Sequence, residues 1–571
     1  MMGNVKDDKN DQRDEDARMY AALGFAFILL VVGIPLWWKT TKVHRVALPY
    51  GRIGELSDVS LTYEFVVNIV ATNHARAQKL AEDLQESFKS SKIFLPRFHG
   101  RSAYPPEMAA LGASHKLWDL EESADIPHPS KPGSLLLLEV PGLARYTESS
   151  VVLGNRRTVY FAGDVSVIKL VSVLQDWVLQ ENSVKLTVDA MEAPTKVGRD
   201  AWGRRRIAPS PAYDLLLSLV IPKPESIHVV WDIHKAVNDY LSSFLTHLSR
   251  LAEVNVKSQV LYFVNLGVRP KAVDSGGPIG FGKHYFISED FLPHIITPLE
   301  KKIASQVARN PTLNLVLYVP PCEESPLFIY SKRTAAPIPN NAFISPQWGG
   351  IQIVDPSPFC SEREKGLLEG EPIKSGSEAN ISMPLLKNTV AVSIDSVRVM
   401  GIFIAQLRLL VGIPDLEPLP KSELLPLNGP SPREWEMDLL LRVRTIEQIT
   451  SAKLTLQSLS QLLGEIGNIV IQNDVGASVW KATEGVERAT ELLAAGDLPA
   501  AFAVSRDAFV SAEKAFTDQS LLALLYFPDD QKYAVYIPLF LPVMIPVVFS
   551  IKNIVLWLSK KLKGSPKVKA E

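Results

Sequence analysis

Cysteine is nearly absent. The 571 residues hold two, Cys322 and Cys360, too few for a disulfide framework or a cysteine-built zinc site. The ten histidines are scattered, and none stands four residues from another with a carboxylate nearby, which removes the helix-borne metal signature. Net charge is also missing. Sixty Lys and Arg against 62 Asp and Glu leave −2, with no basic excess for a nucleic-acid surface. There is no P-loop, no internal repeat and no long low-complexity segment, and the glycines at 276–282 do not close a strand and open a helix. What remains is a chain that is 46% hydrophobic and 21% charged, a composition that buries a core and is long enough for roughly two to four domains.

Two long apolar runs are present. Met19 to Trp38 is twenty residues without a charge, and a helix of that length spans roughly 30 Å of hydrocarbon. The run ends in Ile34-Pro35-Leu36-Trp37-Trp38-Lys39, too bulky for a signal-peptidase site. An uncleaved signal anchor is expected, with Trp37 and Trp38 at the water interface. The second run, Tyr533 to Ile551, is nineteen uncharged residues. Pro538, Pro542 and Pro546 stand four apart and share one helix face. Each removes a backbone donor, which a membrane helix tolerates where neighbouring groups satisfy the freed carbonyls. Either packing against other membrane subunits or a simple kinked span accounts for them.

Lys560, Lys561, Lys563, Lys567 and Lys569 follow the second run and place it with its C-terminal flank in the cytosol. Two spans then put both termini there: a cytosolic tail at 1–18, spans at 19–38 and 533–558, and a basic tail at 559–571. Lys567 and Lys569 are fifth and third from the C-terminal end, the arrangement of a dilysine retrieval signal to the endoplasmic reticulum, or else an ordinary basic flank. The single N-x-[ST] sequon, Asn380-Ile381-Ser382, falls in the luminal stretch and is a candidate for a glycan.

The luminal region divides at about residue 387. From 39 to 387 strand and helix signals alternate, giving an α/β domain with a mixed sheet. Strands are expected at Leu61 to Ala71, Ser134 to Val140, Val151 to Ala162, Val184 to Val188, Tyr213 to Ile221, Gln259 to Val264 and Leu313 to Val319. Helices are expected at Ala75 to Lys89 and His234 to Leu251. Pro320 to Pro384 reads as irregular, with one strand near Ala342 to Val354. From 388 to 532 the pattern is helical. Val397 to Val411 is strongly apolar. Ser431-Pro432-Arg433-Glu434 opens a long helix whose Trp435, Leu439, Val443 and Ile446 form one apolar stripe. Two more helices follow, near Ala477 to Ala495 and Pro499 to Leu525.

Candidate chemistry is sparse. Asp274-Ser275-Gly276-Gly277-Pro278 echoes a serine-protease nucleophile loop, but no histidine motif precedes it, and a surface turn fits better. His99-Gly100 and Cys322 each follow a core-strand run, as the dyad of caspase-like proteases does. Pro320-Pro321 before the cysteine and a gap of over two hundred residues both weigh against that reading. In an oxidising lumen Cys322 and Cys360 can instead be joined across the 37 residues between them, or stay as two buried thiols. Arg204-Arg205-Arg206 is a charge cluster suited to lipid phosphate, an acidic partner or plain solvent.

Several segments carry a family likeness: Leu36-Trp37-Trp38-Lys39-Thr40-Thr41 with Leu48-Pro49-Tyr50; Asn341-Ala342-Phe343-Ile344-Ser345-Pro346-Gln347-Trp348-Gly349-Gly350; Gln406-Leu407-Arg408-Leu409-Leu410; Phe527-Pro528-Asp529-Asp530-Gln531-Lys532-Tyr533; and the proline-bearing final run. Together and in this order the chain resembles the S-class (phosphatidylinositol-glycan class S) subunit of the GPI transamidase along essentially its whole length, with the N-terminal tail and Val354 to Lys387 the least similar. The resemblance implies a non-catalytic subunit that supports assembly of a membrane complex whose nucleophilic cysteine belongs to a separate, caspase-like subunit. Its expected partners are that subunit, the other transamidase subunits, membrane lipid and either the GPI lipid or the proprotein, with no cofactor and no nucleic acid. A membrane-anchored luminal hydrolase built on His99 and Cys322, and a scaffold of another complex in the endoplasmic reticulum, are the alternatives.

Overall fold

The computed structural model describes residues 4–41, 44–58, 60–91, 93–192, 206–273, 282–303, 308–361, 389–466, 469–522 and 529–563. The chain forms two compact units. One comprises Asp58–Ser451 with Gly485–Asp507; the other comprises Met1–Ser57, Ala452–Glu484 and Ala508–Glu571.

The larger unit is built on two sheets. The first begins with β1 (Tyr63–Ala71), whose residues alternate between buried and half-buried before becoming fully buried. Asn73 then caps the helix His74–Ser87 by accepting from the Ala75 N–H at 3.0 Å. That helix buries Ala77, Leu80, Ala81 and Leu84, the one-sided spacing of a helix lying on a sheet. The chain returns as β2 (Phe94–Ser102), parallel to β1. β3 (Ser134–Glu139) lies on the other side of β1, and β4 (Val151–Leu153) and β5 (Thr158–Phe161) form a hairpin beyond it. The single strand expected at Val151 to Ala162 is therefore two. The break falls at Gly154-Asn155-Arg156, where turn residues interrupt an otherwise β-branched run.

The second sheet centres on β6 (Ala212–Ile221), with β7 (Ile227–Val230) leaving it, β8 (Glu253–Tyr262) along its outer edge and β11 (Thr312–Tyr318) on its inner side. β6 and β11 are apolar and buried on both faces, as parallel strands covered on both sides must be. β13 (Ala342–Ser345) and β14 (Gly349–Ile353) complete the order β13-β14-β11-β6-β8. They make a hairpin where one strand was expected. Between these, β9 (Lys271–Val273), β10 (His284–Ser288) and β12 (Leu327–Tyr330) form a small sheet. β15 (Val390–Ser393) pairs with β7, and β16 (Ser422–Leu424) with β4, so the later region is not purely helical. The strand expected at Val184 to Val188 is instead inside the helix Glu181–Glu192. Val184 and Val188 satisfy the four-residue helical repeat as well as the two-residue strand repeat.

The helix Glu434–Glu465 opens where Ser431-Pro432-Arg433 places it. Every residue from Trp435 to Thr450 is buried, so the expected single apolar stripe is replaced by burial on all sides.

The smaller unit contains the chain's two terminal helical segments. Residues Asn4–Phe27 are α-helical, Ile28–Gly33 wind as a π-helix and Ile34–Thr41 resume the α-helix. Residues 16–36 have a mean hydropathy of 2.3, long and apolar enough to cross a membrane by length and composition. The helix Asp529–Lys563 runs unbroken through Pro538, Pro542 and Pro546. Among the described residues its apolar stretch is the shorter Met544–Ser559, so the expected second span does not meet the same length criterion. The two helices touch. The Trp557 Nε1–H donates to Asp16 Oδ1 at 3.0 Å, and the Trp557 ring meets Tyr20 edge-on at 5.5 Å. Elsewhere in this unit Arg45 bridges to Ile471, and the Trp480 indole donates to the Ala47 carbonyl.

Candidate functional site

The buried half of the long helix carries charges that have nowhere to go except to partners. Asp438 accepts from Arg157 Nε at 2.5 Å and from Arg157 Nη2 at 2.9 Å, while Arg157 Nη1 reaches Glu434 at 2.8 Å. Trp435 Nε1 donates to the Gly154 carbonyl. Arg442 donates to the Val178 carbonyl at 2.8 Å and lies over the rings of Tyr63 and Phe94 at 5.6 and 5.4 Å. These contacts attach the helix to the first sheet. Glu436 pairs with Arg408 at 2.7 Å and Arg433 at 3.0 Å. Glu447 takes both Arg206 and Arg444, and Arg444 donates to the Ile207 and Val411 carbonyls. These attach it to the second. Burial raises the Tyr63 phenol to about 12, against the lowering pull of the Arg442 charge. The helix is thus a polar spine between two α/β layers, and its ionised groups are bound up in structure. Arg206, expected at a charged surface, is turned inward onto it. Arg204 and Arg205 lie outside the described residues.

A second feature is a cavity of about 660 Å³ beside β12, at the carboxyl ends of β14 and β15. Asn341 builds one wall. Its Nδ2 donates to the Leu327 and Ile353 carbonyls at 2.8 and 3.2 Å, and its Oδ1 accepts from Ile329 N at 2.9 Å. Asn341 sits at φ +47°, a left-handed position that asparagine tolerates. Cys322 and Cys360 are joined by a disulfide with Cα atoms 5.9 Å apart, which pins the helical turn 357–361 beside the cavity. Asp355 accepts from Ser357 N at the start of that turn, and Asp395 caps the helix Ser396–Val411 at 3.0 Å from Val397 N.

Two of the segments recognised by resemblance meet here. Gln406 Nε2 donates to the Phe343 carbonyl at 3.1 Å and is directed also at that of Ile351. A Cβ on Gly350 would stand 2.2 Å from Gln406 Oε1, so the Gly349-Gly350 pair is there for close approach. This pairing was not legible beforehand, because 56 residues of sequence separate 350 from 406 and neither segment signals the other.

The structure separates the hydrolase candidates. His99 lies on β2 of the first sheet, opposite Asn68, and is exposed. Cys322 follows β11 of the second sheet, and its sulfur is in the disulfide, with no thiol to ionise. Among the described residues no group of three or more His, Cys, Asp and Glu is placed to hold a metal. Asp274 to Pro278, the sequon at Asn380, and Lys567 and Lys569 lie outside the described residues. Trp37 and Trp38 lie on the segment Ile34–Thr41, with side chains outside the described set; Pro538, Pro542 and Pro546 are all exposed.

Taken together, these features define a two-layer α/β protein with apolar terminal helices and an interior held by ion pairs. The chain belongs to the phosphatidylinositol-glycan biosynthesis class S protein family, whose model matches residues 24–561. It is 36% identical over 574 residues to the GPI-anchor transamidase component PIGS of Bos taurus, covering 96% of each chain. It is 36% identical over 560 residues to the Homo sapiens protein of the same name, covering 94% of each. The GPI transamidase component GPI17 of Saccharomyces cerevisiae is 22% identical over 570 residues, covering 96% of this chain and 94% of that one.

Proposed function

We propose that the chain is a non-catalytic subunit of the GPI transamidase in the endoplasmic reticulum membrane, supporting the machinery that attaches preformed GPI to proprotein C-termini. The observation that carries this is end-to-end membership of a family whose named relatives are transamidase components. His99 on the first sheet and Cys322 after a strand of the second, with the cysteine sulfur oxidised, support an accessory role. Two antiparallel spans are favoured by the contact between Asp16, just before the first apolar run, and Trp557, at the end of the second. The same packing leaves Phe25, Phe27, Ile28, Val548 and Phe549 more than half exposed, a surface suited to lipid or to neighbouring membrane helices. The partners on this reading are the caspase-like catalytic subunit, the other transamidase subunits and membrane lipid.

The test is complementation of cells lacking the protein with the His99→Ala, Cys322→Ser and Cys360→Ser variants. At matched expression each is expected to restore GPI-anchored proteins at the cell surface to the unmodified level. Loss of anchoring by His99→Ala and Cys322→Ser alike, with the complex still assembled, would contradict a non-catalytic role.

A further inference from the structure

We propose that the cavity beside β12, at the carboxyl ends of β14 and β15, binds a short, neutral, hydroxyl-rich glycan segment. Its volume of about 660 Å³ lies within the usual range for small-ligand sites. It opens outside the carboxyl ends of β14 and β15, where open α/β folds place ligands, with Phe328 of β12 on one side.

The walls are fixed before any ligand arrives. Asn341 ties β12 to β14 with three hydrogen bonds. The Cys322–Cys360 disulfide holds the 357–361 turn, and Pro337, Pro339 and Pro358 stiffen the rim. Preformed walls reduce the ordering cost of binding.

The polar groups around this space are mixed in a way that selects the ligand. Asp355 and Asp395 present carboxylates, and Asn340 an exposed amide. Arg398 is exposed and, among the described residues, has no ion-pair partner. Gln352 is only 3% exposed and contributes to the lining, and its Oε1 has no hydrogen-bond partner among the described residues. A buried acceptor left unpaired is destabilising and is satisfied by an incoming donor. A hydroxyl both donates and accepts, so a polyol can answer the carboxylates, the two amides and the guanidinium together. Phe328 and Phe359 supply apolar faces for the C–H side of a sugar ring.

The other ligand classes fit less well. Two carboxylates against one guanidinium disfavour phosphate. An apolar ligand would desolvate three charged groups. An extended peptide needs an open strand edge; β14 is paired on both sides, the free side of β12 is covered by the 336–338 loop through the Ile338 N to Ile329 O bond, and only β15, paired with β7 alone, leaves one.

The experiment is titration of the purified full-length protein in mild detergent, followed by ligand-observed saturation-transfer NMR. The probes are a neutral mannotriose, a glucosaminyl-inositol-capped oligomannose, a chitobiose-capped oligomannose, inorganic phosphate and an unstructured decapeptide. Saturable binding of mannotriose is expected, weakened at least about tenfold, or roughly 1.4 kcal/mol, by Arg398→Ala and by Asp355→Asn. Arg398 is exposed, and Asp355→Asn keeps an acceptor for Ser357 N, so the thermal midpoint should stay put in each variant. Tighter binding of one capped oligomannose than the other would identify the glycan as lipid-borne or asparagine-linked. The proposal is overturned if no neutral oligosaccharide binds at millimolar concentration, if phosphate or the peptide binds in preference, or if both variants bind like the unmodified protein. The readout is binding to the chain itself, so its failure would leave the assembly role standing.

Discussion

Arg157, beside the β4–β5 turn, and Asp438, in the second turn of the long helix, face each other through two parallel N–H···O bonds across 281 residues of sequence. Both are almost fully buried. Asp438 Oδ2 also accepts from Gly133 N at 3.0 Å, and Arg157 Nη1 reaches the Pro129 and Ser130 carbonyls. The pair therefore joins the β4–β5 hairpin, the approach to β3 and the spine helix at one point. Removing one partner leaves the other charge buried and uncompensated, at a cost of about 3–5 kcal/mol. Asp438→Ala is expected to lower the thermal midpoint of the larger unit and to expose it to limited proteolysis, whereas a surface change such as Glu86→Ala, in an exposed pair, should do neither.

The fit between Gly350 and Gln406 predicts a coupled pair. Gly350→Ala drives a methyl into the Gln406 side chain and should destabilise by about 1–3 kcal/mol. Gln406→Ala removes the obstruction along with its bond to the Phe343 carbonyl. The double variant should therefore be less destabilised than the two single changes added together, with a coupling energy of at least about 0.5 kcal/mol in chemical denaturation.

How far the fold could be read beforehand depended on element length. Long, strongly periodic stretches such as Leu61 to Ala71, Tyr213 to Ile221 and Val397 to Val411 gave their elements directly, as observed in β1, β6 and the helix Ser396–Val411. The three-residue β16 and four-residue β15 are too short to show any period, and exist because distant strands β4 and β7 offer them a ladder. The spine helix misled in a different way. Charged residues such as Glu436, Asp438, Arg442, Arg444 and Glu447 belong at solvent by type, yet they lie inside because each meets a partner from a remote segment. The cavity was equally hidden, since its lining comes from residues 328 to 399 and neither Asn340 nor Arg398 carries a recognisable pattern.

His128 predicts the response to acid. Burial pushes its imidazole below the usual value near 6.5, outweighing the opposing charge of Glu121 and the bond to the Leu120 carbonyl. Its other ring nitrogen meets Thr158 Oγ1 at 2.8 Å. With the folded value lower than the unfolded one, the unfolded chain takes up the proton first as pH falls. The stability held by neutral His128 is full above about pH 6.5 and is lost as the pH drops toward the depressed folded value. In His128→Gln the fall in thermal midpoint between pH 7 and pH 5 should be smaller than in the unmodified protein.

The Cys322–Cys360 bridge closes a loop with a sequence separation of 38. In the chain-entropy picture that constraint contributes about 4 kcal/mol. Reduction, or Cys360→Ser, is expected to speed amide hydrogen exchange around 355–361 and β12 while leaving the first sheet unaffected.

The most direct test of the assembly role is affinity purification of the tagged full-length chain in mild detergent, with quantitative mass spectrometry of what accompanies it. The account predicts stoichiometric recovery of the caspase-like catalytic subunit and the remaining transamidase subunits. Recovery of the chain alone, under conditions that keep other complexes of the endoplasmic reticulum intact, would contradict it.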